Sequence, residues 1–504
     1  MSASEPIKRV VIVGGGTAGW IAASVLSKLM GRVLDITLIE SDSIGTVGVG
    51  EATIPQIRRL NGILGINEAE FVRETKGSFK LGIEFNNWGR VGESYLHTFG
   101  DTGLPLASLP FHHYWLRHRA SHQGSSYWDY SLHHKAAYSN RFAHMERVGQ
   151  TSMTGLSYAY HFDAGLYARF LRTLSEDRGV ARVEGIVEDV ALHAETGHIE
   201  SVRLLDGREV AGDLFIDCTG FRALLIGDAL GVPYQDWSHW LPCNRAVAVP
   251  CERVGQLLPY TKATAHDAGW QWRIPLQHRT GNGHVFSDAF TTVEAATETL
   301  LANIDGPPTA EPKVLGFTTG RREALWEKNC VSLGLASGFL EPLESTSIHI
   351  IQSNVGRLVD LFPSQAFDPV TIAEYNRVTT TEYDLIRDFL ILHYKQTQRD
   401  DTPFWRHCRD MAVPDSLAHK IALFEANGHL YRDADDLFRE ASWIQVMLGQ
   451  NVEPRGWHRQ ADAVTDAQLS QFMGDVEALV TRATAPLPEH ADYVERMVAS
   501  AAPA

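Results

Sequence analysis

The chain has 504 residues, of which 44% are hydrophobic and 21% charged, a composition typical of globular proteins and not of disordered ones. Its formal charge of -16 argues against a nucleic-acid partner, because phosphate binding requires clustered Lys and Arg. Five scattered cysteines without a Cys-x-x-Cys pair, and the absence of a signal peptide or an apolar run of about 20 residues, indicate a cytoplasmic protein without membrane association. We therefore expect small-molecule chemistry.

The first predicted elements are a strand, a tight turn and a helix. KRVVIV (8–13) is apolar and rich in β-branched residues, GGGTAGW follows it, and IAASVLSKLMG has helical periodicity. Gly14, Gly16 and Gly19 satisfy G-x-G-x-x-G: the first permits the turn, the second lets a pyrophosphate approach, and the third lets the helix pack on the strand. The N–H groups at the helix start, at Thr17 and Ala18, would bind the phosphates.

Two later strands complete this nucleotide-binding pattern. LDITLIE ends at Glu40, where a carboxylate can accept hydrogen bonds from a ribose. GDLFIDCTGFR (212–222) contains a buried strand that ends at Asp217 and a turn at Gly220, which suits a second approach to the cofactor. This layout predicts an α/β, FAD-binding fold of the glutathione-reductase-like type. A second G-x-G-x-x-G unit for NAD(P)H does not occur in the sequence.

Two histidine-rich stretches and one tryptophan-rich stretch require separate interpretation. FHHYW (111–115) and LHHK (132–135) suggest a metal site, but we expect adjacent histidines on a strand to point apart and therefore predict no metal.

WQWRIP (270–275) predicts an extended segment with Trp270 and Trp272 on one face. Buried tryptophans are usually core residues, and a rigid wall beside a cofactor is the functional alternative.

The sequence resembles the flavin-dependent halogenases of the tryptophan halogenase family. The resemblance is carried by the glycine fingerprint, by W-x-W-x-I-P with Ile274 and Pro275, and by GVGEATIP (48–55), KGSFKLGIEFNNW (76–88), YLHTFG (95–100), DCTGF (217–221) and GFLEPLESTSI (338–348). It covers nearly the whole chain up to about residue 360. It implies FAD, used as FADH2 from a separate flavin reductase, and bromide or chloride, which together give hypohalous acid that halogenates a small aromatic substrate.

The resemblance assigns roles to particular residues. Lys80 corresponds to the family's catalytic lysine, while Lys76 would lie one turn away if the segment were helical. Glu344 corresponds to the acid near the reacting carbon, although its position also suits an ordinary acid at a helix start. Backbone donors at Thr346 and Ser347 would bind the halide. The family's tryptophan pair walls off the flavin, and further flavin contacts fall at Ala52, Val187, Leu335 and Ile348.

The implied substrate site contains His97 and Phe99 as a stacking platform and Trp443 as a wall, with a structural role for Trp443 as the alternative. Ser347 stands where the best-known members carry glycine, and its side chain changes the volume beside the implied halide site. We favour bromide slightly, because bromide is also easier to oxidise than chloride. The tyrosine-rich stretch and acid that hold the amino-acid backbone are not found in SWIQVMLGQNVEPRG (442–456), whose only acid is Glu453. This favours indole or a simple indole over free tryptophan.

The implied organisation is a module at residues 1–370, with a substrate segment inserted at about 88–160, and a mainly helical substrate-covering region at 371–504. The helical patterns VTIAEYNRVTTTEYDLIRDFLILHY and LFREASWIQVMLGQ support the second part. Dimers occur in the family, so a homodimer is an expectation. Two alternatives stay open: an FAD-dependent aromatic hydroxylase, whose usual Gly-Asp motif is replaced here by LGLASGF (333–339), and a non-catalytic protein that binds flavin and an aromatic metabolite.

Overall fold

The computed structural model describes residues 5–44, 50–122 and 124–501, so Gly48 and Val49 of the GVGEATIP motif lie outside the described residues. The strands are β1 (Arg9–Val13), β2 (Asp35–Glu40), β3 (Glu51–Ala52), β4 (Ser78–Lys80), β5 (Gly82–Asn86), β6 (Ser94–Thr98), β7 (Ala159–Phe162), β8 (Ala181–Glu184), β9 (Val187–Leu192), β10 (Ile199–Leu204), β11 (Glu209–Ala211), β12 (Leu214–Asp217), β13 (Tyr234–Asp236), β14 (Arg245–Glu252), β15 (Thr261–His266), β16 (Gly269–Pro275), β17 (Arg279–Phe286), β18 (Lys313–Gly316), β19 (Gly320–Arg322), β20 (Trp326–Glu327), β21 (Cys330–Ser332) and β22 (Gly338–Phe339). The α-helices are α1 (Thr17–Met30), α2 (Ile57–Leu64), α3 (Glu68–Glu74), α4 (Phe111–Ser121), α5 (Leu132–Tyr138), α6 (Ala164–Glu176), α7 (Val293–Ala302), α8 (Ser347–Asp360), α9 (Pro369–Lys395), α10 (Pro403–Asp410), α11 (Asp415–Asn427), α12 (Glu440–Gly449), α13 (Asp466–Thr484) and α14 (His490–Ser500).

The chain forms two compact units that alternate along the sequence. The first unit consists of residues 1–76, 162–244 and 316–384, and the second of residues 77–161, 245–315 and 385–504. The division at about residue 370 and the inserted segment at 88–160 stay predictions, because compactness does not define the extent of a flavin-binding module.

The first unit is built on a mostly parallel sheet with strand order β20-β21-β12-β1-β2-β8, in which only the edge strand β20 is antiparallel to its neighbour. Val10, Val11, Ile12 and Val13 of the central β1 are all buried, as expected for a parallel strand covered on both faces. Helix α1 packs against α6 and α8. The strand, turn, helix and second strand predicted at the N-terminus are confirmed, as is the α/β fold class.

The second unit contains a sheet in which β14, β17, β16 and β15 are successive antiparallel neighbours, β5 is parallel to β15, and β6 is antiparallel to β5. A separate antiparallel pair joins β4 to β7. From residue 396 to residue 501 the regular elements are helical, which confirms the predicted helical C-terminal part. Among the described residues, no helix is long and apolar enough to cross a membrane.

The expectation that the adjacent histidines lie on strands and point apart is wrong. FHHYW opens α4 after Pro110, and LHHK opens α5, where the Ser131 side chain accepts a hydrogen bond from the His134 N–H. Within the helix, the ring centroids of His112 and His113 lie only 4.0 Å apart. Polar residues at consecutive positions carry no clear periodicity, so the sequence did not distinguish helix from strand here.

Candidate active site

The glycine turn between β1 and α1 depends on close contacts that only glycine permits. Gly14 has φ +111°, and a Cβ there would overlap the carbonyl oxygen of Cys218. A Cβ at Gly19 would overlap the carbonyl oxygen of Gly14, so α1 starts directly against the turn. Gly16 differs, because a Cβ at this position would meet no atom within 4 Å. Among the described residues no side chain caps this helix, so the first N–H groups of the helix meet open space at Gly16, which fits a pyrophosphate of FAD.

Glu40 ends β2 next to this turn, where a side chain at Gly15 would overlap its carboxylate. The carboxylate accepts a hydrogen bond from Trp20 Nε1 at 3.2 Å and pairs with Arg182 Nε at 2.6 Å. The location is that expected for a ribose acceptor, and the role stays a prediction. Arg182 was not identified from the sequence, although a cation on a strand parallel to β2 is the signal that could have identified it.

Asp217 organises the return loop through its carboxylate. The carboxylate accepts hydrogen bonds from the N–H and hydroxyl of Thr219 at 2.9 and 2.7 Å, and from the N–H groups of Leu225 and Ile226 at 2.9 Å. Burial raises the pKa of Asp217, although these hydrogen bonds oppose the rise. Gly220, with φ +71°, lies in the same loop. The geometry gives Asp217 a structural role, and its contact with flavin stays a prediction.

The other predicted flavin contacts fall on several elements of the first unit. Gly334 has φ +62°, and a Cβ there would lie 2.8 Å from the Ala18 Cβ, so the turn that carries Leu335 packs against the start of α1. Ile348 is a buried residue in the first turn of α8, which also packs on α1. Ala52 is buried in β3. Val187 belongs to the hydrophobic core of the unit, so only its backbone remains for the predicted contact.

The start of α8 combines the predicted acid and the predicted halide residues. Glu344 has no exposed surface and ends a 3-10 turn, and Ser345 follows in the left-handed conformation with φ +59°. Thr346 is the N-cap residue of α8, yet no side-chain cap is formed. The Thr346 hydroxyl is buried and has no hydrogen-bond partner among the described residues. Ser347 is the first helical residue and is partly exposed. The helix start is confirmed, and halide binding stays a prediction.

A buried ionic network anchors this helix and was missed by sequence analysis. Glu382 accepts hydrogen bonds from His349 Nε2 at 3.0 Å, the Ser353 hydroxyl at 2.7 Å and an Arg357 guanidinium nitrogen at 2.6 Å. Burial alone would raise the pKa of Glu382, but His349 and Arg357 outweigh it and hold the value at about 2. The polar residues at positions 349, 353 and 357 share one face of α8, and this spacing was the signal in the sequence.

Lys80 ends β4 in the second unit and has no exposed surface. Its Nζ lies 5.2 Å from the centroid of the Phe99 ring, within the range of a cation–π interaction. Full burial is exceptional for lysine. Lys76 is exposed, belongs to the first unit and has φ +51°, so the two lysines are not related by a helical turn.

Two of the three predicted substrate residues, His97 and Trp443, share an aromatic cluster in the second unit. The His97 ring lies 5.7 Å from the Phe389 ring, and the Trp443 ring lies 4.9 Å from the same Phe389. Trp443 is fully buried, and its Nε1 donates to Asp436 Oδ2 at 3.2 Å. Phe389 and Asp436 were not identified from the sequence, because each lies far along the chain from β6. The structure thus brings His97 and Trp443 together through Phe389.

One glutamine fixes the backbone between the two platform residues. Gln445, on the same helix as Trp443, accepts a hydrogen bond from the Thr98 N–H at 2.8 Å and donates to the Gly100 carbonyl at 3.1 Å. These bonds hold the chain on both sides of Phe99. The second unit also contains a cavity of about 420 Å³, which is lined by Asp101, Tyr127, Arg432, Arg439, Glu440 and Ile444, among other residues.

The W-x-W-x-I-P segment forms β16, which confirms the predicted extended conformation with both tryptophans on one face. Trp270 and Trp272 are buried with ring centroids 6.2 Å apart. Trp272 lies across Gly283 of the paired strand β17, where any side chain would overlap its ring. Trp270 lies 6.3 Å from Trp88 within an aromatic cluster. Ile274 and Pro275 complete the buried end of the strand, and a flavin-wall role stays a prediction.

Two of the three histidines in a group around α4 use their Nδ1 atoms in hydrogen bonds. The rings of His113, His429 and His458 lie 5.3 to 5.8 Å apart. His113 Nδ1 accepts from the His458 N–H, and His458 Nδ1 accepts from the Gln460 N–H, so these lone pairs are occupied. Burial, then the neighbouring histidines, lowers the pKa of His113 to about 3. In the part of the chain that the structure describes, no group of three His, Cys, Asp or Glu residues is arranged to hold a metal ion.

The family model and the known proteins described next are all halogenases. A family model described as tryptophan halogenase matches residues 9–466. The structure of Xcc4156, a flavin-dependent halogenase from Xanthomonas campestris, is similar with 51% identity, a TM-score of 0.94 and coverage of 98% of both chains. BrvH, a flavin-dependent halogenase from Brevundimonas sp. BAL3, has 42% identity and a TM-score of 0.94, covering 97% of this chain and 99% of its own. Tryptophan 6-halogenase SttH from Streptomyces toxytricini is 38% identical over 481 residues, 89% of this chain and 90% of its own.

Proposed function

Since the chain belongs to the tryptophan halogenase family of flavin-dependent enzymes, we propose that it halogenates an electron-rich, indole-like arene by means of hypohalous acid, with bromide slightly favoured over chloride. The observation that carries the proposal is the complete burial of Lys80 beside Phe99. A lysine that only served solubility would extend into water. The reduced flavin would come from a separate reductase.

The cofactor would be held by the first unit. The open position at Gly16, the uncapped start of α1 and the carboxylate of Glu40 offer donors and acceptors for the pyrophosphate and a ribose. When bound, FADH2 together with O2 and a halide supplies hypohalous acid. We assign the halide to the N–H groups at Thr346 and Ser347, supported by the buried Thr346 hydroxyl, for which the described part of the chain offers no hydrogen-bond partner.

The chemical roles follow from the charges of two buried side chains. The Lys80 ammonium donates a hydrogen bond to the oxygen of hypohalous acid, which draws electron density from the halogen and makes it electrophilic. The arene attacks the halogen, the oxygen–halogen bond breaks, and the oxygen leaves as water with a proton from the Lys80 ammonium, so that the arene becomes a cation. The Glu344 carboxylate stabilises that cation and then removes the proton from the halogenated carbon, which restores aromaticity. Direct oxygen transfer to the arene, as in a hydroxylase, would require neither residue.

Indole is favoured over free tryptophan by the environment of Glu453. This residue is the only acid in residues 442–456, and it pairs with Arg119 at 2.7 Å on the surface of the second unit. It is therefore paired with a cation of this chain, which supports a substrate that lacks an ammonium group. His97, Phe99 and Trp443 are proposed to contact the aromatic ring, and stacking suits an electron-rich arene.

Mass spectrometry of the products tests this function. Indole and tryptophan would each be incubated with the protein, FAD, a flavin reductase, NADH and either bromide or chloride, with catalase present to remove free peroxide. We expect a halogenated product, identified by its halogen isotope pattern, in larger amount from indole than from tryptophan and with bromide than with chloride. No halogenated product should form with Lys80→Ala. An oxygenated product without halogen would support the hydroxylase instead, and preferred turnover of tryptophan would contradict the proposed substrate.

A further inference from the structure

His161 is a fully buried histidine that the proposed chemistry does not use. It lies on β7, and the register of the antiparallel pair places it opposite Ser78 and places Ala159 opposite Lys80. Directly opposite residues share a face of the sheet, as do residues two positions apart on a strand. Ser78, His161 and Lys80 therefore project from the same face of the β4–β7 pair.

The hydrogen bonds around His161 define which ring nitrogen carries the proton when the imidazole is neutral. The Ser78 hydroxyl donates to the carbonyl of Pro275 at 3.1 Å, so its oxygen must accept from His161 Nδ1, which lies at 3.3 Å. In the neutral ring, His161 Nε2 carries no proton and accepts from the Thr261 hydroxyl at 2.9 Å. This arrangement is a neutral imidazole with its proton on Nδ1.

The surrounding charges maintain this neutral state. Burial, and then the positive charge of Lys80 and that of His490 when protonated, lower the pKa of His161 well below its usual value. His490 donates from Nδ1 to the Leu257 carbonyl at 2.7 Å and accepts at Nε2 from the Phe79 N–H at 3.1 Å, so it also holds β4 in place. A neutral ring at position 161 adds no second positive charge beside Lys80.

We propose that His161 and Ser78 are positioning residues for Lys80, because their hydrogen-bond chain joins the strand that ends at Lys80 to Pro275, the last residue of W-x-W-x-I-P. The chain runs from His161 Nδ1–H to the Ser78 hydroxyl and from that hydroxyl to the Pro275 carbonyl. It fixes the lysine strand relative to the tryptophan strand within the second unit. This inference rests on the proposed role of Lys80.

Four substitutions separate the two hydrogen bonds of the imidazole. In His161→Asn the side-chain amide N–H lies near the position of Nδ1 and can still donate to Ser78, whereas in His161→Gln the amide lies near the position of Nε2. Ser78→Ala breaks the chain to Pro275. Thr261→Val preserves shape and removes only the hydrogen bond at Nε2, so it is the matched control for buried polar loss.

The measurements are single-turnover halogenation, steady-state substrate KM, thermal stability, and halogenated product formed per flavin reoxidised. Displacement of a catalytic group by about 1 Å can cost about 100-fold in rate. We expect Ser78→Ala and His161→Gln to lose about 10- to 100-fold in rate and to release oxidised flavin without product, with little change in substrate KM. His161→Asn and Thr261→Val should stay within about threefold of wild type, although Thr261→Val should melt earlier.

Loss of rate in proportion to loss of thermal stability across all four variants would overturn the proposal, because it would show a purely structural role. Lys80→Ala is measured in parallel. If it retains halogenation, the proposed function itself fails. If it is inactive while Ser78→Ala and His161→Gln turn over like wild type, only the positioning role fails.

Discussion

Replacement of Glu382 by glutamine should destabilise the first unit at neutral pH and much less in acid. A carboxyl pKa that falls from 4.5 to about 2 on folding corresponds to about 3 kcal/mol of stability, at about 1.4 kcal/mol for each tenfold change in proton affinity. Because the pKa is lower in the folded state, this contribution is fully present above pH 4.5 and is lost as the pH falls through about 2. Glutamine carries no charge at any pH and cannot provide it.

Urea unfolding from pH 7 down to pH 3 measures this difference. The control is Asp384→Asn on the same helix. Asp384 pairs with Arg321, and more than one-third of the Asp384 side chain is exposed, so this ion pair should contribute less than about 1 kcal/mol. We expect the gap between Glu382→Gln and wild type to be about 3 kcal/mol at pH 7 and to narrow towards pH 3. A gap that is absent at pH 7, or that does not change with pH, would refute the electrostatic account of this network.

Three further predictions concern the proposed site. Lys80→Ala should abolish halogenation and retain FAD affinity, while the exposed Lys76→Ala should retain both; equal losses in the two variants, measured by product formation and flavin titration, would contradict the role of burial. Glu344→Gln should slow halogenation by about 100-fold, since it loses the charge that stabilises the cation and accepts its proton; an unchanged single-turnover rate would remove that assignment. Ser347→Gly should change the ratio of chloride to bromide turnover in competition experiments, and an unaltered ratio would show that the serine does not contact the halide.

Local patterns in the sequence were sufficient for the nucleotide-binding elements. The apolar run before Gly14, the helix after it and the strand that ends at Glu40 are each encoded within a few neighbouring residues, and all appear where predicted. The tryptophan strand was predicted for the same reason, because alternation is visible within six residues. Elements of this kind need no knowledge of distant partners.

The supporting contacts of the site were not predictable in this way. Ser78 meets Pro275 across 197 positions of sequence, and Thr98 meets Gln445 across 347. Single-sequence patterns carry no information about such pairs. The burial of Lys80 has the same origin, because its neighbours include Ala159 on the paired strand β7, 79 positions later, and the ring of Phe99. The prediction for His112 and His113 was wrong for a local reason, since two adjacent polar residues fit either a helix or a strand.

The alternation of the two units along the chain has a consequence for synthesis on the ribosome. The central strand β1 pairs on one side with β12, which begins about 200 residues later, and the next strand in that sheet, β21, begins at Cys330. At about 5 to 20 residues per second, β1 waits at least 10 seconds for its first distant neighbour. The first unit is complete only after residue 384 has emerged. During that interval apolar strands are exposed, so production of this protein should depend on chaperones that bind nascent chains, and fragments that end before residue 384 should aggregate.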